Sequence, residues 1–162
     1  MLQQTQVKTA IPYFNNFVKK IPSLKALSNS NKKTVLKLWE GLGYYTRAIN
    51  LHKTSKILIK KYNGQIPKSF VKLKELPGIG DYTANILLAL IYNQSRVALD
   101  GNVKRVLFRL GNINTENQVN LFKTKRNGDL AEALMEFGAL VCKPKNPICH
   151  ECKIKNMCAY FA

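Results

Sequence analysis

Apolar residues recur along this chain at intervals of three and four, the period of helices with one buried face. Over 31–40 the spacing puts Val35, Leu38 and Trp39 on one side with Leu42 just beyond, Ser30 or Asn31 as N-cap and Gly41 as the stop. A longer helix is predicted over 44–62, carrying Tyr45, Ala48, Ile49, Leu51 and Leu58 and ending at Asn63-Gly64. Shorter ones follow over 68–75, after Pro67, and over 81–93, with Ala84, Leu87, Leu88 and Ile91 inward. Another starts after Asp100 with Val103, Val106, Leu107 and Leu110, and the last, over 128–141, turns Leu130, Leu134, Phe137 and Val141 inward. No segment alternates with the period of a strand and no internal repeat is visible, so the fold class is all-α. A polar, irregular stretch runs from Gly111 to Asn127. The expected lobe boundary lies earlier, near Gln94 to Ala98, giving lobes of 1–96 and 97–162.

Composition sharpens this picture. The 162 residues are 46% hydrophobic, enough for a packed core, and 26 Lys+Arg against nine Asp+Glu give a net charge of +17. So basic a surface selects for polyanions, and nucleic acid is the commonest of these for a globular chain. A lysine-rich composition without any ligand is the alternative. No run approaches the roughly 18 apolar residues of a membrane span, and the opening MLQQTQVKTA has no charged-then-apolar signal layout. The expectation is a cytoplasmic chain in a reducing compartment, where cysteines ligate metals more often than they form disulfides.

Candidate chemistry sits in three places. The first is Leu76-Pro77-Gly78-Ile79-Gly80, between two predicted helices. Two glycines around one apolar residue make a tight turn that lets another backbone come close. The helix that follows presents unpaired N–H groups to a phosphate, a grip on one DNA strand that reads no sequence. An ordinary helix–helix turn is the plainer reading. The second place is Leu99-Asp100-Gly101-Asn102-Val103-Lys104-Arg105-Val106. Asp100 can be no more than an N-cap, but a helix N-terminus also keeps a carboxylate ionised where it faces a site. The third is the cysteine set Cys142, Cys149, Cys152 and Cys158, spaced C-x6-C-x2-C-x5-C. Four thiolates are the usual ligands of a [4Fe–4S] cluster, and zinc stays open as the second reading. Lys143, Lys145, Lys153 and Lys155 between them suit a phosphate backbone.

Together these strings resemble the helix–hairpin–helix DNA glycosylases, and specifically the MutY-type adenine DNA glycosylases. Met1-Leu2-Gln3-Gln4-Thr5-Gln6-Val7, Pro12-Tyr13-Phe14 and Leu38-Trp39-Glu40-Gly41-Leu42-Gly43-Tyr44-Tyr45 extend the likeness over nearly the whole chain. The resemblance implies a two-lobed helical fold with a [4Fe–4S] loop, which binds double-stranded DNA as a monomer and flips adenine out of an A:8-oxoguanine or A:G mispair. It makes Asp100 the carboxylate that stabilises or captures the sugar cation. It places Tyr82, Lys104 and Glu132 at the adenine pocket. Gln4, Thr5 and Tyr44 become probes or wedges around the oxidised guanine, and Leu76 to Gly80 the phosphate grip. Endonuclease III-type relatives carry a lysine where Tyr82 stands, so strand nicking through a Schiff base is not expected, beyond a weak side reaction from Lys104, and an endonuclease III-like pyrimidine-lesion glycosylase stays open as the weaker alternative.

The sequence also departs from that pattern. The family's general-acid glutamate stands two residues before the Met-Leu-Gln-Gln string, which here begins at residue 1, and general acid catalysis typically contributes about 10²–10⁴-fold. The expectation is an impaired enzyme, with three open readings: a start assigned too far downstream, a DNA-binding iron–sulfur module without catalysis, or a glycosylase with a relocated acid. The stretch before the Cys142 helix looks shorter than in the family, and the expectation is a chain without the family's C-terminal 8-oxoguanine-recognition domain.

Overall fold

The computed structural model describes residues 1–111, 113 and 124–161, so most of the polar stretch after Gly111, including its expected shortening, lies outside the described residues. Among the described residues there are eight α-helices, two short 3₁₀ turns and no extended strand. The all-α expectation holds. The chain divides into two compact units.

The first unit comprises Met1–Pro67 and Val71–Ile79. It holds α1 (Val7–Lys20), α2 (Leu24–Asn29), α3 (Lys32–Leu38), α4 (Thr46–Tyr62) and most of α5 (Phe70–Lys74). The helical pattern had not singled out α1 and α2. Pro12 inside α1 has no N–H for the ladder and argues locally against a helix, while α2 spans only six residues. The other elements start and stop for legible reasons. Ser23 caps α2 and Asn31 caps α3, each accepting a backbone N–H. Asn63, left-handed at φ 51°, ends α4. The core gathers Phe17, Ile21, Leu27, Val35, Trp39, Leu42 and Ala48. Phe17 meets Trp39 edge to face, their ring centroids 6.2 Å apart. Tyr45 and Leu51, expected inward on α4, are exposed; the buried face instead takes Ala48, His52, Thr54, Ser55 and Leu58.

The second unit comprises Lys68–Phe70 and Gly80–Ala162. It contains α6 (Asp81–Tyr92), α7 (Gly101–Gly111), α8 (Asn127–Leu140) and the cysteine loop with its 3₁₀ turns at Cys149–Glu151 and Lys155–Met157. The division falls ahead of α6 instead of at 96/97, because α6 joins α7 in packing against α8. Small residues make that packing close. A methyl group on Gly138 would stand 2.7 Å from Asn102 Cβ, and one on Gly128 would stand 3.1 Å from the Ala89 carbonyl oxygen. This corrects the inward face expected for α8. Leu130, Leu134, Phe137 and Val141 are only partly buried, whereas Asn127, Ala131 and Gly138 are buried. No described helix is long and apolar enough to cross a membrane.

Candidate functional site

The hairpin closes the first unit. Ile79 N donates to the Leu76 carbonyl oxygen at 3.1 Å and Gly78 has φ 80°, the pattern of a turn with Pro at its second position and Gly at its third. Two contacts from α4 fix it: Thr54 Oγ1 donates to the Pro77 carbonyl oxygen at 3.0 Å, and a Cβ on Gly78 would stand 2.9 Å from Asn50 Cβ. Leu76 is the buried anchor, while Gly78 and Gly80 are exposed. The N-cap of α6 is Gly80, which has no side chain to cap the helix, and a helix N-terminus is suited to an anion.

In the second unit, Asp100 stands immediately before α7. Its Oδ1 accepts Val103 N at 2.7 Å and its Oδ2 accepts Asn102 Nδ2 at 3.2 Å. The carboxylate is thus an N-cap whose two oxygens each accept one hydrogen bond. Asn102 is in turn oriented by Arg105, whose Nη2 donates to Asn102 Oδ1 at 2.8 Å and to the Gly138 carbonyl oxygen at 2.6 Å, while its Nε donates to the Cys142 carbonyl oxygen at 2.8 Å. A chain of hydrogen bonds therefore runs from the first cysteine's backbone to the carboxylate.

Tyr82, on α6, lies close enough to Asp100 to feel its charge. Burial raises the pKa of the phenol above its ordinary value, and Asp100 adds to that shift. The protonated hydroxyl donates to Met135 Sδ on α8 at 3.2 Å. Lys104 and Glu132, expected at the same pocket, are exposed on α7 and α8. Thus Tyr82 and Asp100 are electrostatic neighbours, with Met135 beside the tyrosine.

All four cysteines are free, and together they line one small cavity of about 30 Å³. Val106, Leu110, Phe137, Ile148 and Ile154 make much of its remaining wall. Arg109 ties the ends of this loop together. Its Nη1 lies 3.5 Å from Cys142 Sγ and donates to the Lys143 carbonyl oxygen at 2.7 Å, and its own carbonyl accepts Cys158 Sγ at 3.3 Å and Tyr160 N at 3.0 Å. Among the described residues no three His, Cys, Asp or Glu side chains form a group that could hold a metal ion. In a [4Fe–4S] cluster each thiolate binds a different iron, so its four sulfurs surround a volume instead of converging on one atom. Four thiols around one apolar hollow suit that chemistry.

Residues 1–128 match a family described as "HhH-GPD superfamily base excision DNA repair protein". The chain belongs to this superfamily. Among curated proteins it is 45% identical to an adenine DNA glycosylase of Buchnera aphidicola subsp. Baizongia pistaciae, over 99% of this chain and 49% of that protein. It is 35% identical to the human adenine DNA glycosylase, over 98% of this chain and 31% of that one. The chain spans about half the length, or less, of these relatives. Among solved structures, a non-covalent endonuclease III–DNA complex superposes with a TM-score of 0.80 at 23% identity, covering 99% of this chain and 79% of that one. A thermostable thymine-DNA glycosylase gives 0.79 at 25% identity, over 99% and 79%. The endonuclease III-like fold is therefore established for this HhH-GPD chain.

Sequence reasoning missed several residues that organise this HhH-GPD protein: Arg47, Asn50, Asn102, Arg105, Arg109 and Met135. The three arginines stand out in retrospect, because each is only partly exposed in a chain whose lysines are mostly exposed. A planar, five-donor fork suits such positions better than an ammonium does.

Proposed function

We propose that this chain carries the adenine N-glycosylase chemistry of base excision repair, acting in the cytoplasm, at the nucleoid, as a monomer on double-stranded DNA with A:8-oxoguanine or A:G mispairs. The observation that carries the reading is Asp100, a carboxylate oriented by Val103 N at the start of α7 and by Asn102, with Tyr82 close enough to feel its charge. The bond that breaks joins adenine N9 to C1′ of the deoxyribose. The general acid that protonates the leaving base is the glutamate that the resemblance places two residues ahead of the Met1-Leu2-Gln3-Gln4 string, and positive charge develops on the sugar. Asp100 stabilises that cation or captures it covalently, and water at C1′ then leaves an abasic site. Tyr82 cannot form a Schiff base, so strand nicking of the endonuclease III kind is not the reading this site supports. Lys104 and Glu132 serve the adenine pocket, Leu76 to Gly80 grip the backbone, and Gln4, Thr5 and Tyr44 probe the strand around the oxidised guanine.

Cys142, Cys149, Cys152 and Cys158 would hold a [4Fe–4S] cluster, whose contribution when bound is to fix a lysine-rich loop against phosphates. Arg109 holds the ends of that loop.

A second reading, DNA binding without base release, draws on the net charge of +17. Single-turnover assays on duplexes with A opposite 8-oxoguanine separate the two. They should be run on the 162-residue chain and on one with a Glu-bearing segment added before Met1. Adenine release by either, lost in Asp100→Asn, supports the glycosylase. Salt-sensitive binding with no release from either, and no preference for the mispair, sinks it in favour of the binding module.

A further inference from the structure

Gln4 and Tyr44 have positive φ, 56° and 48°. The left-handed region is unfavourable for residues with a Cβ, so surrounding contacts must impose it at both places. The two positions are far apart in sequence, yet one side chain serves both. Arg47 Nη1 donates to the Met1 carbonyl oxygen at 2.7 Å, to the Gln3 carbonyl oxygen and to Thr5 Oγ1 at 3.0 Å. Its Nη2 reaches the carbonyl oxygens of Gly43 at 3.3 Å and Leu42 at 3.4 Å. The guanidinium also lies over two rings, 5.5 Å from the centroid of Trp39 and 5.3 Å from that of Tyr44. Trp39 is 1% exposed and donates its Nε1–H to the Gly43 carbonyl oxygen at 3.0 Å, so the floor of the stack is rigid. Tyr44, by contrast, is 62% exposed.

We propose that Arg47 is a positioning residue that locks the Gln3–Thr5 segment and Tyr44 into one rigid reader, so that the two engage the strand opposite the target base together. The inference rests on the DNA-probing role proposed above for Gln4 and Tyr44. Arg47 itself does not touch DNA: both terminal nitrogens are committed to the protein's own acceptors, and the plane is stacked on its own rings. Lysine cannot replace it, because an ammonium is a point donor with no face to stack and no fork to span two loops.

A double-mutant cycle tests this with the full chain. Affinity for a duplex bearing A opposite 8-oxoguanine is measured for Gln4→Ala, Tyr44→Ala and the pair, first with Arg47 and then with Arg47→Lys. With Arg47 present, each single change should weaken binding about tenfold and the pair little more, because losing either half disables the reader. With Arg47→Lys, mispair affinity should already be down by about tenfold, and each further change should matter little. Affinity for matched duplex should stay within about twofold, since that term is charge. Thermal unfolding of Arg47→Lys and Arg47→Met checks that the fold survives, and either variant serves if the other does not fold. If Gln4→Ala and Tyr44→Ala leave binding unchanged, the probing role fails and the inference with it. If each weakens binding but their effects simply multiply with Arg47 in place, the probing role stands and the coupling by Arg47 is refuted.

Discussion

Asn102 Nδ2 donates to Asp100 Oδ2 at 3.2 Å, and the same amide is held at its other end by Arg105. Each oxygen of the carboxylate thus has its own donor, because Oδ1 accepts from Val103 N. Asparagine can keep the cap but carries no charge. Asp100→Asn is therefore expected to fold with an unfolding midpoint close to that of the parent while adenine release falls about 10²–10³-fold. Asn102→Ala, which removes one bond to a charged acceptor, should cost about tenfold to a hundredfold. Single-turnover rates on one duplex measure both.

Gly138, on α8, packs against the Asn102 that holds this carboxylate. A Cβ there would lie 2.7 Å from Asn102 Cβ and 3.0 Å from its backbone, so Gly138→Ala must push α7 and α8 apart or displace Asn102. Overpacking of this kind costs about 1–3 kcal/mol. Base release should fall with it although residue 138 bears no functional group. Wild-type stability in that variant would refute the close approach.

His52 gives the first unit a pH dependence. It is 5% exposed, and its Nε2 has no hydrogen-bond partner among the described residues. Burial lowers its pKa from 6.5, Lys56 and Lys32 push the same way, and a backbone hydrogen bond with Ser30 opposes them. The unfolded chain therefore binds the proton more readily than the folded one. This contribution is fully present above pH 6.5, and stability falls as pH drops below that value toward the lower folded pKa. Denaturant midpoints between pH 5 and pH 8 should slope downward on the acid side, and more shallowly in His52→Gln. An identical slope in that variant would remove His52 as the cause.

DNA affinity should be dominated by charge and so by salt. With about 6–10 phosphate contacts, binding should weaken about 10³–10⁵-fold between 50 and 200 mM salt. Gly78→Ala forces a Cβ into a φ of 80° and against Asn50. It should lower affinity at every salt concentration by disordering the hairpin. The slope should remain, because no cation is lost. A changed slope would mean that the hairpin does not act through backbone geometry.

The cysteine loop makes the last prediction. Protein purified without oxygen should contain iron and sulfide in equal amounts with broad visible absorption. Arg109→Met, which unties Cys142 and Lys143 from α7, should lose iron to a chelator about 10–100-fold faster. Zinc in place of iron would overturn the cluster, whereas iron with an unchanged loss rate would overturn only the role of Arg109.

Most helices were legible because burial imposes a period of 3.6 on apolar positions, and α3, α4, α6, α7 and α8 lie within one to two residues of where that period puts them. The cap at Asn31 and the left-handed stop at Asn63 were equally readable, being local chemistry. The inward face of α8 was misjudged for the opposite reason. Apolar periodicity expects large residues in a core, and here Ala131 and Gly138 are buried, the glycine where α7 comes too close for a Cβ. The chemical residue types at the site, Asp100, Tyr82 and the four cysteines, were set by the order of amino acids. Only the folded chain decided which of them come near one another: Tyr82 near Asp100, four cysteines lining one hollow, and Arg47, Arg105 and Arg109 as clamps. Those clamps join segments tens of residues apart, and no local pattern encodes a contact whose partners are brought together solely by packing.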